Sequence, residues 1–181
     1  NVALNALDNV FCRQEAVGDS AGTVLLGTPD PDTVQNFGGY SLADLTLAGG
    51  EAVRVGLLDV DCHFLKIDGE GMEVEVLTGA AGMIRRCRPL MYVENDRAEN
   101  SARLIECIES LGYLPFWHVT PLFYPDNHNG NTTNVFDGNP SSFNLLCIPN
   151  ERSNIKHDLD RAAENAEQYI QRKRQTLLLA S

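Results

Sequence analysis

The chain has 181 residues, of which 43% are hydrophobic and 22% are charged, which gives room for one globular domain with one hydrophobic core. Its formal net charge is −11 at pH 7. Proteins that bind nucleic acids or anionic membranes need a basic surface, so this charge argues against both kinds of partner.

The first third of the chain predicts a helix end, short strands and a long loop. We expect the end of a helix over 1–9, a strand over 10–16 with a turn at 18–20, and one arm of a hairpin over 23–26. A loop rich in Pro, Asp and Gly follows, from 29 to 39, and loops of this length are often functional. A strand is predicted over 53–58.

The segment 64–96 predicts a βαβ unit with acidic residues at both strand ends. The apolar run 64–67 ends at Asp68 and is followed by Gly69-Glu70-Gly71. Apolar residues then recur at helical spacing over 72–84, where two glycines favour a bend or break, and a second apolar run ends at Glu94. Strands joined in this way usually lie in a parallel sheet, and ligands bind beyond its carboxyl ends. Asp68, Glu70 and Glu94 are therefore the candidate site residues.

The last part of the chain predicts a helix, two strands and a polar terminal helix. The helix, capped by Asn100 or Ser101, runs to residue 111, and the strands cover 114–119 and 143–148. Ser153 or Asn154 then caps a helix over 153–172. Its apolar residues recur at steps of four and three, which is typical either of a surface helix or linker or of a coiled coil that binds a partner or another copy of the chain.

Two sequence strings carry a resemblance to a known family. They are KIDGEGMEVEVLTGAAGMI and, shortly after it, RPLMYVEND. In this order they resemble the FkbM-type family of S-adenosylmethionine-dependent methyltransferases, in which a strand ends K-I-D-V-E-G, a helix contains V-L-x-G-A, and the next strand contains Pro and Val-Glu. One position differs, because Gly69 stands where the family usually has Val.

The resemblance covers roughly residues 1–150 and implies a fold and an activity. The fold would be α/β, a Rossmann-like class I methyltransferase sheet, with 151–181 as a polar helical tail or linker. The activity would be S-adenosylmethionine-dependent O-methylation of a small hydroxylated molecule, either sugar-like or polyketide-like. Gly18, Asp19 and Asp68 would bind the cofactor, with Asp19 near the adenine, and the segment 36–42 would cover the substrate.

The glycine-rich turn that wraps the cofactor in class I methyltransferases is not found in the sequence. We therefore expect that the chain begins inside the family's domain, without its first strands, and that it binds S-adenosylmethionine weakly by itself. Gly69-Glu70-Gly71 is a poor dinucleotide turn, because Val74 holds the third glycine position and two carboxylates would face the pyrophosphate. The alternative function is a truncated or degenerate, non-catalytic module that interacts through its terminal helix.

The candidate site residues suit methyl transfer to a hydroxyl oxygen. Asp68 is the first candidate for the general base or for orienting the substrate. Glu70 would lie at a helix start, where a negative charge is favoured, and Glu94 would hydrogen-bond the substrate. His118 and His128 are alternative bases. The signature of amine methylation, Asp or Asn followed by two prolines and an aromatic residue, is absent.

Two groups of residues contain side chains that can bind metal ions, and we consider metal binding possible at only one of them. The three candidate carboxylates could bind Mg²⁺ together with substrate oxygens, although we assign no metal site. The group 59–63 contains Asp, Cys and His, but adjacent residues of an extended chain point to opposite faces, so we expect a solvated loop. Lys66, inside an otherwise apolar strand, is expected to be buried and paired with Glu94 or Asp59.

The cysteines indicate a reducing compartment. There are five, dispersed along the chain without any C-x-x-C pair. Together with the absence of a secretory signal and of an apolar run near 18 residues, this pattern predicts a cytoplasmic protein with reduced thiols.

Overall fold

The protein is described by a computed structural model that covers residues 1–27, 30, 32, 51–136, 140–164 and 166–179. The described residues form a mixed α/β structure with two sheets and four α-helices. The loop predicted over 29–39 and the segment 36–42 lie almost wholly outside the described residues. None of the described helices combines the length and the apolar character needed to cross a membrane.

The smaller sheet has three strands in the order β1-β3-β2. They are β1 (Ala16–Val17), β2 (Gly22–Leu26) and β3 (Glu51–Gly56). β2 and β3 pair antiparallel, which confirms the predicted hairpin arm, and β1 pairs parallel with β3.

The larger sheet has four strands in the order β4-β5-β7-β6. They are β4 (Phe64–Ile67), β5 (Leu90–Glu94), β6 (Tyr113–Pro121) and β7 (Ser141–Pro149). β4 and β5 are parallel, as the βαβ prediction requires, whereas β7 lies antiparallel between β5 and β6. All four strands were predicted from their apolar runs.

The hydrophobic core lies between one face of the larger sheet and the helices. Alternate residues of β4, β5 and the first part of β6 are buried because successive side chains of a strand point to opposite faces, and apolar residues of these strands and of β7 pack in one cluster with apolar helix residues. The sheet contributes Leu65, Ile67, Met91, Val93, Trp117 and Leu145, and the helices contribute Leu77, Met83, Ile84, Leu104 and Ile108.

The helix predicted over 72–84 is two short helices, α1 (Glu73–Gly79) and α2 (Ala81–Cys87), separated at Ala80. The break falls beside the glycine where it was expected. A Cβ built on Gly79 would lie 1.9 Å from the carbonyl oxygen of Gly18. Because the backbone after β1 touches α1 at this point, no side chain larger than hydrogen fits there.

Helix α3 (Ala98–Ser110) starts earlier than predicted. Asn100 and Ser101 lie inside the helix, and Arg97 at its N-terminal boundary makes no side-chain capping bond. Ser101 is buried, and its Oγ accepts a hydrogen bond from Asn95 Nδ2 at 3.0 Å. Its hydroxyl therefore joins the end of β5 to the helix instead of capping the helix.

The N-terminal predictions were partly wrong. Residues 1–9 form turns instead of a helix end, and the strand predicted over 10–16 is reduced to Ala16–Val17. The apolar side chains of Leu4 and Phe11 are 87% and 89% exposed. A short helix or strand gains little stability in water without a packed apolar face, which explains the difference.

The helix predicted over 153–172 was also wrong in its first half. A 3₁₀ helix (Asn150–Arg152) is followed by extended chain, and α4 (Ala166–Leu179) begins only at Ala166. The extended chain pairs with the edge of β6: Trp117 N donates to Asp160 O at 2.8 Å, and Ala162 N donates to Pro115 O at 3.0 Å. Sheet hydrogen bonds therefore replace helical ones, and the residues spaced at four and three do not form one helical stripe.

Candidate active site

Three carboxylates meet at the carboxyl ends of β4 and β5. One oxygen from each of Asp68, Glu70 and Glu94 lies within 4.8 Å of the others. They converge because β4 and β5 are parallel neighbours, so that the residue after one strand lies beside the last residue of the next. Mg²⁺ is coordinated by carboxylate oxygens, and three of them this close together can share one ion. Among the described residues, these three could therefore hold Mg²⁺.

The surroundings give two of these carboxylates different protonation states. Burial, together with the nearby charges of Asp96 and Asp68, raises the pKa of Glu94 to about 8. The hydrogen bond from Lys66 lowers the pKa of Asp68 below its usual range. At neutral pH Glu94 therefore favours its protonated form, whereas Asp68 is a charged carboxylate.

The expectation for Lys66 was wrong. Its side chain is 52% exposed, and its ammonium group forms an ion pair with Asp68 instead of with Glu94 or Asp59. Residues two apart on a strand point to the same side, which brings Lys66 and Asp68 together. Asp59 pairs with Arg86 at 2.8 Å.

A buried acid holds the turn between β4 and α1. The carboxylate oxygen Oε1 of Glu73 accepts hydrogen bonds from the backbone N–H groups of Gly69 at 3.0 Å and Gly71 at 3.2 Å. Glu73 is only 4% exposed. In this turn Glu70 and Gly71 have positive φ angles of 49° and 95°. Glycine adopts such angles freely, whereas for Glu70 the conformation costs energy.

Glu70 does not lie at the helix start, which corrects the prediction. It precedes α1 by three residues, and its carboxylate accepts a hydrogen bond from Arg97 at 2.8 Å. The acids of the first turn are Glu73 and Glu75. The sequence offered a signal for Glu73, because acids are favoured at this position, but it offered no signal that Arg97 would reach across from the start of α3.

The substitution of Gly69 for the family's usual Val fits this turn. A Cβ built on Gly69 would lie 3.4 Å from Glu73 Oε1 and no closer to any other atom. The position therefore leaves space for a side chain after a small adjustment of Glu73. Glycine is therefore not required there by lack of space.

Two adjoining clefts contain the predicted cofactor-binding residues. The first, of about 580 Å³, is lined by Gly18, Asp19 and the start of α1. The second, of about 310 Å³, lies between β1 and β4 and is lined by Asp68. Met72 lines both clefts. Gly18 and Asp19 thus share one cleft, and Asp68 lies in its neighbour.

The two alternative bases occupy different surroundings. His118 is half-buried on β6, and its Nδ1 lies 2.7 Å from the hydroxyl oxygen of Tyr92. His128 is exposed in the loop between β6 and β7. Neither belongs to the group of carboxylates at the ends of β4 and β5.

Comparison with known proteins gives one match. The family model described as the methyltransferase FkbM domain matches residues 42–115, a segment that contains the three carboxylates and the βαβ unit around them. No curated protein and no solved structure matches the chain. The match confirms, for residues 42–115, the resemblance of this chain to the FkbM-type methyltransferases.

Proposed function

We propose that this chain is part of an S-adenosylmethionine-dependent methyltransferase that transfers a methyl group to a hydroxyl oxygen of a small sugar-like or polyketide-like molecule. The observation that carries the proposal is the convergence of Asp68, Glu70 and Glu94 at the ends of two parallel strands, inside the segment that matches the methyltransferase model. The order β4-β5-β7-β6, with helices on the buried face, supports a Rossmann-like sheet.

The residues present fit the cofactor. A cleft of about 580 Å³ lies within the ordinary range for small-molecule sites. Asp19 lines it, and the Asp68 carboxylate lines the adjoining cleft, which suits a ligand that carries a positive sulfonium. Gly18 and Asp19 would hold the nucleoside part and Asp68 would face the sulfonium side. The cofactor supplies a methyl group bonded to cationic sulfur.

The protonation states suggest a division of roles. Asp68, kept charged by Lys66, orients the acceptor hydroxyl and accepts the proton that this hydroxyl loses. Glu94, kept neutral by burial, donates hydrogen bonds to Asp68 or to the acceptor. Arg97 holds Glu70 beside them, so that the three carboxyl groups keep a fixed arrangement.

The enzyme is favoured over the non-catalytic alternative. The matched segment contains the acidic site, and the terminal helix through which the alternative module would interact begins only at Ala166 instead of at 153. The five cysteines are all unpaired, which supports a reducing, cytoplasmic location.

The cofactor part of the proposal is tested by titrating the ¹⁵N-labelled chain with S-adenosylhomocysteine and following the amide resonances. We expect shifts at 18–23 and 68–72, with a dissociation constant weaker than roughly 10 μM. Asp19→Asn and Asp68→Asn should weaken binding, whereas Asp126→Asn, on an exposed loop, should not. Absence of shifts at millimolar ligand, or shifts confined to other residues, would contradict the proposal.

The catalytic part is tested by measuring transfer of labelled methyl groups. Loss of a general base costs about 10²- to 10⁴-fold in rate, and we expect Asp68→Asn to lose activity in that range while still unfolding cooperatively. Turnover equal to that of the parent protein would remove Asp68 from the mechanism.

A further inference from the structure

Three polar residues form a row across the larger sheet, beginning at the candidate site. Glu94 on β5 is the register partner of Asn144 on β7, and Asn144 is the register partner of His118 on β6. Register partners place their side chains on the same face of a sheet. Glu94, Asn144 and His118 therefore share one face, the one turned away from the core helices, and are called the polar row below.

Tyr92 orients the outer end of the polar row. It precedes Glu94 by two residues and shares its face, and its hydroxyl lies 2.7 Å from His118 Nδ1, with the two rings edge to face at 5.7 Å. When this hydroxyl donates to Nδ1, the other ring nitrogen, Nε2, carries the proton and can donate to a ligand.

Asn144 fills the middle of the row and is itself fixed. It is 6% exposed, and its Nδ2 donates to Ser142 Oγ at 2.7 Å. Hydrogen-bonding groups therefore follow each other on three neighbouring strands from Glu94 to His118, and the middle one is held by Ser142.

We propose that His118, held by Tyr92, and Asn144 form a second hydrogen-bonding subsite beside Glu94, which binds a hydroxyl group of the methyl acceptor other than the one that is methylated. The inference rests on the proposed function and adds to it the residues that select the acceptor. These residues touch the acceptor and determine specificity, and they take no part in the transfer of the methyl group.

The length of the row restricts the acceptor. Neighbouring strands lie about 4.8 Å apart, so two strand spacings from Glu94 to His118 cover roughly 10 Å. A molecule with a single hydroxyl group uses one end of such a row, whereas a sugar ring with substituents presents several hydroxyl groups along it. The subsite thus favours a polyhydroxylated acceptor over a simple alcohol.

The test is an NMR titration of the full chain with a panel of methyl glycosides, with cyclohexanol as the control that has a single hydroxyl. We expect at least one glycoside to shift the His118 ring signals and the Asn144 side-chain amide, and cyclohexanol at equal concentration to leave them in place. If no glycoside shifts these signals, or if cyclohexanol shifts them equally, the proposal is wrong.

Variants separate a binding role from a structural one. His118→Phe keeps the ring and loses both nitrogens, so glycoside binding should weaken at least tenfold, while His118→Gln should restore part of it. Tyr92→Phe should give an intermediate loss, and His128→Phe, in the exposed loop, no loss. Binding of S-adenosylhomocysteine should be equal in all four variants. Equal glycoside binding by His118→Phe and the parent protein overturns the inference and leaves the cofactor proposal standing.

Discussion

Arg88 and Glu151 form a two-point ion pair that joins the end of α2 to the end of β7. Arg88 Nε donates to Glu151 Oε1 at 2.7 Å, and Arg88 Nη2 donates to Oε2 at 2.9 Å. The pairing holds the pKa of Glu151 down at about 2. The same guanidinium donates to the carbonyl oxygens of Leu111 and Gly112, both at 2.8 Å, and lies 4.5 Å from the centre of the Tyr113 ring.

Removal of Arg88 should therefore destabilise the fold. Arg88→Ala removes a donor to the Leu111 carbonyl oxygen, one of two donors to the Gly112 carbonyl oxygen and the partner of the exposed Glu151 carboxylate, and we expect a loss of about 1–3 kcal/mol in the free energy of unfolding, measured by urea denaturation. Arg88→Lys cannot reproduce the fork of donors and should recover less than half of that. Arg85→Ala, one turn earlier and exposed, serves as the control, with a change within about 0.5 kcal/mol. Equal stability of the Arg85 and Arg88 variants would contradict the structural role.

Gly79 and Gly82 should respond in opposite ways to the same substitution. A Cβ on Gly79 would meet the carbonyl oxygen of Gly18 at 1.9 Å, whereas nothing lies within 4 Å of a Cβ on Gly82. Gly79→Ala must push the smaller sheet away from α1, and we expect a loss of about 1–3 kcal/mol. Gly82→Ala adds a better helix former without a clash and should gain about 0.5–1 kcal/mol. Thermal and chemical unfolding of both variants check this, and a Gly79→Ala protein as stable as the parent would mean that Gly18 does not pack against α1.

Glu73 should control the turn that carries Asp68 and Glu70. Glu73→Ala removes the acceptor of two backbone N–H groups, and we expect a loss of about 2–3 kcal/mol together with faster hydrogen exchange at Gly69 and Gly71. Glu73→Gln keeps a carbonyl oxygen and should lose about half as much. Glu99→Ala removes an exposed acid from the first turn of α3 and should change little. Unchanged exchange at both glycines in Glu73→Ala would show that the carboxylate does not hold the turn.

The part of the fold that the sequence predicted best is the part whose signals are local. In the segment 64–94 each apolar run, each glycine and each terminal acid lies within a few residues of the structure it specifies, so the βαβ unit and the meeting of Asp68 with Glu94 followed from the spacing. The pairing of Lys66 with Asp68 was open to the same reasoning, because both lie on one side of a strand end.

The parts that were missed depend on contacts between distant segments. Apolar residues at steps of four and three near the C-terminus fit a helix, but Ala162 and Tyr169 instead pack against the sheet, with the Tyr169 ring 5.4 Å from that of Trp117. Nothing in the local sequence reveals that β6 is an edge strand whose backbone N–H and C=O groups can pair with the segment around Arg161. The contact between Arg97 and Glu70 likewise depends on how α3 lies against the turn before α1.

The stability of the protein should depend on pH because the pKa of Glu94 is raised by folding. This dependence should fall between the ordinary pKa of Glu94 and its raised pKa in the folded state. In the folded state the pKa is about 8, against 4.5 without the protein's influence, so the folded state binds the proton more tightly over this range. Its contribution to stability is therefore complete below pH 4.5 and is lost as the pH rises through about 8. Glu94→Gln imitates the protonated acid at every pH, so it should match the parent protein at pH 5 and exceed it at pH 9.

The size of this difference is limited because Glu94 is only partly buried, and solvent screens its interactions. We expect about 1 kcal/mol at pH 9, which corresponds to about 2–4 °C in melting temperature for a chain of this length. Asp126→Asn, which neutralises an exposed acid in the loop after β6, is the control and should show no such dependence. Melting curves from pH 5 to pH 9 measure it. If the parent protein and Glu94→Gln keep a constant difference over that range, Glu94 is ionised throughout, and it cannot act as the neutral hydrogen-bond donor beside Asp68.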